Sequence, residues 1–271
     1  MDFKNKVVII TGASSGIGKS CAEEFASRGA NLVLAARQYV TLCEITAELE
    51  KKYGVKAIAV QVDVTREEDC EHLIKQALTT FGSIDVLVNN AGISMRALFN
   101  ELDLSVLKNL MDVNFWGTVY CTKYALPEIL KTKGNVIGVS SIAGYRGLPG
   151  RTGYSASKFA MNGFMEALRT ELLQTGVHVM VACPGFTTSN IRVAALAKDG
   201  LAHGETSMEE GKMMSSEEVA KNIVNGIADR KRTLVMTGQG KLTVWINKLL
   251  PALADKLVFN HFTKEKNALI K

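Results

Sequence analysis

The residues best suited to acid–base chemistry lie in the segment Tyr154-Ser155-Ala156-Ser157-Lys158. A tyrosine and a lysine four residues apart on a helix share one face and can contact each other. Lowering a tyrosine pKa from about 10 to about 7 takes roughly 4 kcal/mol, which an ammonium about 4 Å away supplies at an effective dielectric of about 20. Tyr154 and Lys158 therefore predict a phenol that exchanges a proton near neutral pH, as reactions at a carbonyl oxygen require. An amphipathic helix with an exposed lysine is the alternative explanation.

A glycine-rich turn follows the first apolar run of the chain and has two interpretations. Residues 13–20 (ASSGIGKS) fit a permissive phosphate loop, with Lys19 for the β- and γ-phosphates and Ser20 for magnesium. Residues 11–18 (TGASSGIG) fit a dinucleotide-binding turn. In both cases backbone N–H groups at a helix N-terminus face a pyrophosphate. The turn alone therefore does not separate an ATPase from a dehydrogenase.

Short apolar runs alternate with helical patterns along most of the chain. The predicted strands are 7–11, 32–36, 57–62, 84–89, 135–140, 178–183 and 233–236. The predicted helices are 17–28, 40–53, 66–81, 103–131, 153–175 and 217–229. Nearly continuous apolar strands between helices are typical of a doubly wound parallel sheet with right-handed crossovers. We therefore predict an α/β fold in which one domain, residues 1–271, holds a parallel sheet of about seven strands.

Composition excludes several classes of protein. With 47% hydrophobic and 22% charged residues among 271, the chain is neither disordered nor a disulfide scaffold. Its five cysteines form no CxxC pair, and no histidine completes a zinc site, so we expect reduced thiols in a cytoplasmic protein without a metal. We also expect neither a signal peptide nor a membrane-spanning helix.

The net charge of +5 is concentrated near the C-terminus. Residues 230–271 hold nine Lys or Arg against two acidic residues, which is 9 − 2 = +7, so the remainder of the chain sums to −2. This distribution argues against a nucleic-acid partner, because a basic groove would run along the body of the domain.

Features at the ends of later strands decide between the two interpretations of the glycine turn. They are Arg37, Asp63-Val64, the segment 89–92 (NNAG) and the YxxxK segment, which has a serine thirteen residues before its tyrosine. In this order and spacing, the motifs resemble the short-chain dehydrogenase/reductase family over roughly residues 5–238. The resemblance implies a Rossmann-type domain, a nicotinamide cofactor and hydride transfer.

The resemblance also implies a catalytic tetrad of Asn114, Ser141, Tyr154 and Lys158. Ser141 would hydrogen-bond the substrate oxygen, and Asn114 would hold a water in the proton path from Lys158. Ser140 is the alternative to Ser141, because neighbouring residues at the end of a strand point to opposite faces.

The predicted cofactor is NADP(H). Ala36 stands where NAD-binding sites have a carboxylate, and Arg37 can pair a 2′-phosphate at two points. A solvent-facing Arg37 would instead leave the site open to both cofactors. The resemblance assigns Asp63 and Val64 to the adenine. The predicted cofactor-binding residues are Gly12, Ser14, Ser15, Gly16, Ile17, Gly18, Arg37, Asp63, Val64, Asn90, Ala91, Gly92, Tyr154, Lys158, Pro184, Gly185 and Thr187. For the last position, Thr188 and Ser189 are the alternatives.

Residues 186–215 occupy the position of the family's substrate lid. They are apolar and carry three methionines, which favours a bulky hydrophobic substrate, although a subunit interface would explain them too. The candidates for the opposite wall of the pocket are Met95, Leu98, Phe99, Tyr145 and Leu148. No pair of arginines for a carboxylate is evident, so the sequence identifies no substrate head group.

Residues 239–271 form a basic amphipathic C-terminal extension. Its apolar residues fall on one helical face, and Pro251 is expected to break or kink the helix. Three placements remain open: against the substrate mouth or the body of the domain, in a subunit contact, or in a membrane interface. By resemblance, subunits would pair through helices 103–131 and 153–175 into a homodimer or homotetramer.

The sequence therefore predicts an NADP(H)-dependent oxidoreductase, in which Tyr154 is the general acid and base. It would transfer a hydride between nicotinamide and a carbonyl or secondary alcohol of a lipid-like or steroid-like substrate. A dinucleotide-sensing binding protein with little turnover is the alternative. The expected location is cytoplasmic, with a peripheral membrane contact through the extension as a further option.

Overall fold

The computed structural model describes residues 2–187, 191–202, 204, 213–264 and 268–270. Its seven strands form one parallel sheet in the order β3-β2-β1-β4-β5-β6-β7. The strands are β1 Val7–Thr11, β2 Asn31–Ala36, β3 Ala57–Gln61, β4 Val86–Asn89, β5 Asn135–Val139, β6 His178–Cys183 and β7 Thr233–Val235. The predicted doubly wound α/β fold is confirmed. Strand order reverses between β1 and β4, which is where such sheets bind ligands.

Helices cover both faces of the sheet. They are α1 Gly16–Ser27, α2 Tyr39–Tyr53, α3 Glu67–Phe81, α4 Leu104–Met111, α5 Gly117–Thr132, α6 Thr152–Glu171, α7 Ser216–Ala228, α8 Gly238–Leu249 and α9 Pro251–Phe262. One core cluster joins the sheet to α1, α2 and α7, and a second joins it to α3, α5 and α6. The strands are buried on both faces, which explains their nearly continuous apolar sequences.

The prediction of one uninterrupted α-helix over 103–131 is wrong at a single turn. A π-helical segment, Asp112–Trp116, joins α4 to α5 and contains the fully buried Asn114. The Asn114 side chain forms hydrogen bonds with residues far away in the sequence. The helical periodicity of a sequence does not indicate such bonds. Two 3-10 turns, Phe99–Glu101 and Ile142–Gly144, were not predicted either.

The C-terminal extension forms two helices that dock on the body of the domain. Pro251 begins α9, so the predicted break is confirmed. Arg146 bonds Asp255 of α9 and, at 3.0 Å, the Asn247 side chain of α8. Asn247 in turn donates to the carbonyl of Tyr145 at 3.0 Å. In the described part of the chain, no helix is both long enough and apolar enough to cross a membrane.

Candidate active site

The glycine turn has the geometry of an anion cradle. Gly12 and Gly16 have φ of +65° and +52°, a region that favours glycine. A Cβ on Gly12 would lie 2.9 Å from the Cα of Ala91, so a side chain there would collide with the backbone. The turn leads directly into α1, whose first residues, Gly16 and Ile17, line the cavity described below. These features suit the pyrophosphate of a dinucleotide.

Gly18 was predicted to bind the cofactor but does not line the cavity. A Cβ at this position would lie 2.2 Å from the carbonyl oxygen of Gly12 and 2.5 Å from the Asn90 amide. The absence of a side chain therefore lets α1 pack closely against the turn. Asn90 reinforces the turn by donating to the carbonyls of Thr11 and Gly12 at 2.9 and 3.2 Å.

Ser141 and Tyr154 lie together at the carboxyl edge of the sheet. Ser141 directly follows the loop residue after β5, and Tyr154 lies in the first turn of α6. Burial raises the pKa of Tyr154 above its usual 10, while a hydrogen bond from Ser141 and the charge of Arg151 act in the opposite direction. Ser140 is buried beside Cys183 instead. Of the two serines, Ser141 is therefore the one that contacts the phenol.

Lys158 does not act on Tyr154 as the sequence suggested. Its Nζ donates to the carbonyl of Val139 at 2.9 Å and lies 5.9 Å from the centre of the Tyr154 ring. Burial lowers the pKa of Lys158 from 10.5 to about 8. Burial is the largest influence on the phenol, so the pKa of Tyr154 is shifted upward, whereas the sequence predicted a downward shift caused by Lys158.

Lys158→Met is expected to change how stability depends on pH. The pKa of Lys158 is about 8 when folded and 10.5 unfolded, so between these values the unfolded state binds more protons and wild-type stability rises with pH. Below pH 8 the lysine is charged in both states, so the full free-energy cost of burying the ammonium opposes folding. Relative to the variant, the wild-type free energy of unfolding should therefore rise by about 2 kcal/mol from pH 8 to pH 10.

Urea unfolding of both proteins at pH 8 and pH 10 measures this difference. Lys221, which is exposed on α7, supplies the control substitution Lys221→Met. If the two unfolding free energies changed in parallel with pH for wild type and Lys158→Met, the buried-ammonium interpretation would be wrong.

Asn114 lies behind the cavity wall, where three hydrogen bonds fix its side chain. Its Oδ1 accepts from the N–H of Ile93 at 2.8 Å, and its Nδ2 donates to the carbonyl of Ile93 at 3.0 Å and to Ser157 Oγ at 2.8 Å. Ser157 in turn donates to the carbonyl of Tyr154 at 2.8 Å. Sequence analysis missed Ser157, although it lies within the YxxxK segment. This network joins α6, the π-helical segment and the loop after β4.

The residues predicted to bind the adenosine part of the cofactor line the cavity at the ends of β2 and β3. Arg37 is exposed and lines the cavity, as do Asp63 and Val64. Asp63 Oδ1 accepts from the N–H and hydroxyl of Thr65 at 3.0 and 2.8 Å, which fixes the carboxylate. Gln38 was not among the predicted cofactor-binding residues. Its side chain accepts a hydrogen bond from the Ser14 hydroxyl at 3.1 Å and so connects the segment after β2 to the glycine turn.

At the other end, Pro184, Gly185 and Thr187 line the cavity after β6. Thr187 Oγ1 donates to the carbonyl of Gly185 at 3.1 Å. The alternatives Thr188 and Ser189 lie outside the described residues. A Cβ on Gly185 would lie 2.7 Å from Thr237, so β6 and the start of α8 approach each other closely here.

These ends belong to one cavity of about 930 Å³. The described part of the lid lies across it, because Leu196 N–H donates to the carbonyl of Ser94 and Arg96 N–H donates to that of Leu196, both at 2.8 Å. The lid residues that line the cavity include Ile191, Ala194, Leu196 and Met214. Met208 lies outside the described residues.

The opposite wall differs from the prediction. Only Leu148 of the five candidates lines the cavity; Met95 is buried in the core and Phe99 is largely exposed. The wall comes instead from α8 and α9, which contribute Leu242, Ile246, Leu257, Val258 and Phe262. Two arginines, Arg151 before α6 and Arg192 in the lid, also line the cavity. Within the described ranges, no three His, Cys, Asp or Glu side chains are grouped to hold a metal ion.

Comparisons with known proteins agree with this geometry. A family model described as short chain dehydrogenase matches residues 6–200. The chain is 38% identical to 11-beta-hydroxysteroid dehydrogenase-like 4A of Arabidopsis thaliana, with 92% of this chain and 82% of the relative covered. It is 32% identical to Dehydrogenase/reductase SDR family member 7B of Mus musculus, with 98% and 84% covered.

A solved structure shows the same architecture. The short-chain dehydrogenase/reductase from Burkholderia phymatum, in complex with NAD, superimposes with a TM-score of 0.82 at 26% identity, over 93% of this chain and 96% of that one. The sheet order, the glycine turn and the position of Ser141 beside Tyr154 all agree with the family match. The chain belongs to the short-chain dehydrogenase/reductase family of oxidoreductases with a nicotinamide cofactor.

Proposed function

We propose that the chain is an NADP(H)-dependent carbonyl reductase or alcohol dehydrogenase for a bulky hydrophobic, lipid-like or steroid-like substrate. The observation that carries this proposal is a single cavity that joins the glycine turn, Tyr154 and the apolar inner faces of α8 and α9. A cavity of about 930 Å³ has room for both a dinucleotide and an extended apolar substrate.

Tyr154 supplies the proton and Ser141 orients the oxygen of the substrate. When bound, the nicotinamide gives or takes the hydride. A phenol with a raised pKa is fully protonated at neutral pH, so Tyr154 is suited to donate a proton to the oxygen of a carbonyl being reduced. Lys158 and the network of Asn114 fix the position of the helix that carries Tyr154.

The preference for NADP(H) rests on the end of β2. Ala36 leaves no carboxylate that would repel a 2′-phosphate, and the exposed Arg37 guanidinium can reach the same end of the cavity. The B. phymatum protein is described in complex with NAD, so the cofactor of relatives does not decide the question for this chain.

A dinucleotide-sensing protein with little turnover is the alternative function. We test the two by following NADPH oxidation with steroid ketones, long-chain ketones and small ketones. Turnover with a hydrophobic ketone supports the oxidoreductase. Tight NADPH binding with no turnover on any ketone, and no reverse reaction with the alcohols, supports the sensor.

We further propose that the outer face of the C-terminal extension contacts a membrane surface in the cytoplasm. This outer face is exposed, apolar and turned away from the cavity; it comprises Trp245, Leu249, Leu250, Leu253 and Phe259. Exposed lysines border it, namely Lys241, Lys248, Lys256 and Lys264. An apolar face with a basic border is typical of helices that lie in an anionic membrane interface.

The combined substitution of Trp245, Leu249 and Leu253 by Gln is expected to abolish binding to vesicles that contain anionic phosphatidylglycerol. These side chains lie outside the cavity, so NADPH affinity should stay unchanged. Co-sedimentation measures the bound fraction, and Leu173→Gln is the control, because this leucine just beyond the end of α6 is more exposed than the three substituted residues. Equal sedimentation of wild type and the triple variant would refute the membrane contact.

We also propose a homodimer or homotetramer that forms through α5 and α6. Trp116 beside α5 and Phe159 on α6 are 43% and 46% exposed, which leaves large aromatic surfaces available for a second copy. Light scattering of the purified protein tests this proposal, and a monomer at micromolar concentration would contradict it.

A further inference from the structure

The short segment from Ser141 to Arg146 joins the reacting phenol to the C-terminal extension. Ser141 precedes the 3-10 turn Ile142–Gly144, and Arg146 follows that turn by two residues. The N–H of Arg146 donates to the carbonyl of Ile142 at 3.0 Å, so the segment is folded back on itself. One end of the segment therefore contacts Tyr154 through Ser141, and the other end carries a guanidinium group.

The guanidinium group of Arg146 holds both helices of the extension. Its Nη1 donates to Asn247 Oδ1 of α8 at 3.0 Å, and its Nη2 donates to the Asp255 carboxylate of α9. The Arg146 side chain is largely buried, with 16% of its surface exposed, so it has little room to take another position. Because the donors of a guanidinium group lie in one rigid plane, these bonds fix the two helices relative to each other and to the segment.

Two further contacts strengthen the connection to α8. Asn247 Nδ2 donates to the carbonyl of Tyr145 at 3.0 Å, so this asparagine bonds two consecutive residues of the segment. At the start of α8, a Cβ on Gly240 would lie 2.7 Å from Cδ1 of Ile142, and a side chain there would collide with the turn. The segment therefore contacts α8 both near its beginning and near its end.

The inner faces of α8 and α9 form the apolar wall of the cavity. Asn247 directly follows Ile246, which lines the cavity. In the same way, Asp255 directly follows Ala254, which also lines it. The remaining apolar wall residues of these helices are Leu242, Leu257, Val258 and Phe262. The rotation of each helix that Arg146 fixes therefore decides which side chains face the cavity.

We propose that Arg146 is a positioning residue for the substrate. By bonding α8 and α9 to the segment that begins at Ser141, it fixes the apolar wall at a set distance from the Tyr154 hydroxyl. A long hydrophobic ketone then contacts the wall while its carbonyl lies at Tyr154, whereas a short ketone gains nothing from the wall. This inference rests on the proposed oxidoreductase function and assigns its selectivity for long apolar substrates to one guanidinium group.

The test compares NADPH oxidation with 2-undecanone and 2-butanone, and its readout is the ratio of the two kcat/KM values. A loss of folded enzyme or of proton transfer affects both ketones and cancels in this ratio. For the wild type we expect the ratio to exceed about 100, because the longer chain is taken out of water. Arg146→Gln should lower the ratio about 10-fold. An unchanged ratio in Arg146→Gln, or no preference in the wild type, would overturn the proposal.

Arg28→Gln is the matched control. Arg28 also bonds one carboxylate and one asparagine, Glu24 and Asn225, but lies outside the cavity wall. Its loss should leave the ratio unchanged, because neither α8 nor α9 depends on it. A ratio that fell as far in Arg28→Gln as in Arg146→Gln would show a general effect of losing an arginine and would remove the special role of Arg146.

A second substitution tests whether Arg146 acts through α9. Asp255→Ala should lower the ratio about 3-fold, the size of a partly exposed ion pair. In the Arg146→Gln background the same substitution should change the ratio by less than about 2-fold, because the bond is already lost. If Asp255→Ala lowered the ratio equally in both backgrounds, the two residues would act independently and the anchor would be wrong.

A binding measurement separates this inference from the proposed function. Should no ketone turn over, calorimetry on the NADPH-loaded protein measures the Kd for myristyl alcohol, an uncharged long-chain probe. A Kd that rises about 10-fold in Arg146→Gln but not in Arg28→Gln supports the anchored wall in a protein that is not a reductase. Equal Kd values, or no binding to the wild type, would contradict the anchored wall whatever the outcome for turnover.

Discussion

Tyr154→Phe is expected to lower kcat for carbonyl reduction by about 10³-fold, within the usual range for loss of a general acid. The substitution removes only the hydroxyl and leaves the buried ring in its packing. NADPH affinity should therefore stay within about 2-fold of the wild-type value, and the loss should appear in kcat rather than in binding. Steady-state kinetics with the best ketone of the substrate panel, together with NADPH titration, measures both effects.

Tyr124→Phe is the control for this experiment. Tyr124 is half-buried on α5 and its hydroxyl donates to Glu67 at 2.7 Å, outside the cavity wall, so loss of this hydroxyl should leave kcat unchanged. A Tyr154→Phe protein that kept even a tenth of wild-type activity would show that another group supplies the proton. Ser141 would then be the next candidate for the proton donor, because its hydroxyl contacts the Tyr154 phenol.

Arg37→Asp is expected to raise the Kd for NADPH by about 10²- to 10³-fold while changing the Kd for NADH much less. The substitution removes hydrogen bonds to a charged phosphate, worth about 1.5–3 kcal/mol, and adds a like charge. It also restores the kind of carboxylate that NAD-binding sites use for the ribose hydroxyls. Fluorescence titration of both cofactors measures the change in preference.

The control is Arg230→Asp, which makes the same change of charge outside the cavity wall. It corrects for the general effect of lowering the net charge by two. If Arg37→Asp weakened NADPH no more than the control does, Arg37 would be a solvent-facing residue and the cofactor preference would have to come from elsewhere.

Local sequence signals predicted the sheet, and most of the residues that they assigned to the cofactor line the cavity. Each strand is a short apolar run, and the glycine turn, NNAG and YxxxK are contiguous motifs at strand or helix ends. Their residues therefore fall together wherever a doubly wound sheet forms. The break at Pro251 is equally local, because proline lacks the N–H that a continuing helix requires.

The features that were missed depend on contacts between distant segments. Arg192 of the lid lines the same cavity as Arg151, which immediately precedes α6. Helices α8 and α9 form a wall of this cavity, and Arg146 holds them there through its bonds to Asn247 and Asp255. The predicted direction of the Tyr154 pKa shift was wrong, because the sequence shows a nearby lysine but does not show how deeply the phenol is buried. Such quantities follow from the packed structure and not from spacing along the chain.

The π-helical segment Asp112–Trp116 has a consequence for how this part of the chain can change in evolution. A π turn accommodates one more residue than an α turn of the same rise, so removing a single residue here would restore regular α geometry. The same deletion would rotate α4 by about 100° relative to α5 and carry Asn114 away from Ile93 and Ser157. Relatives that keep this asparagine network should accept substitutions around it but preserve the number of residues between the two helices.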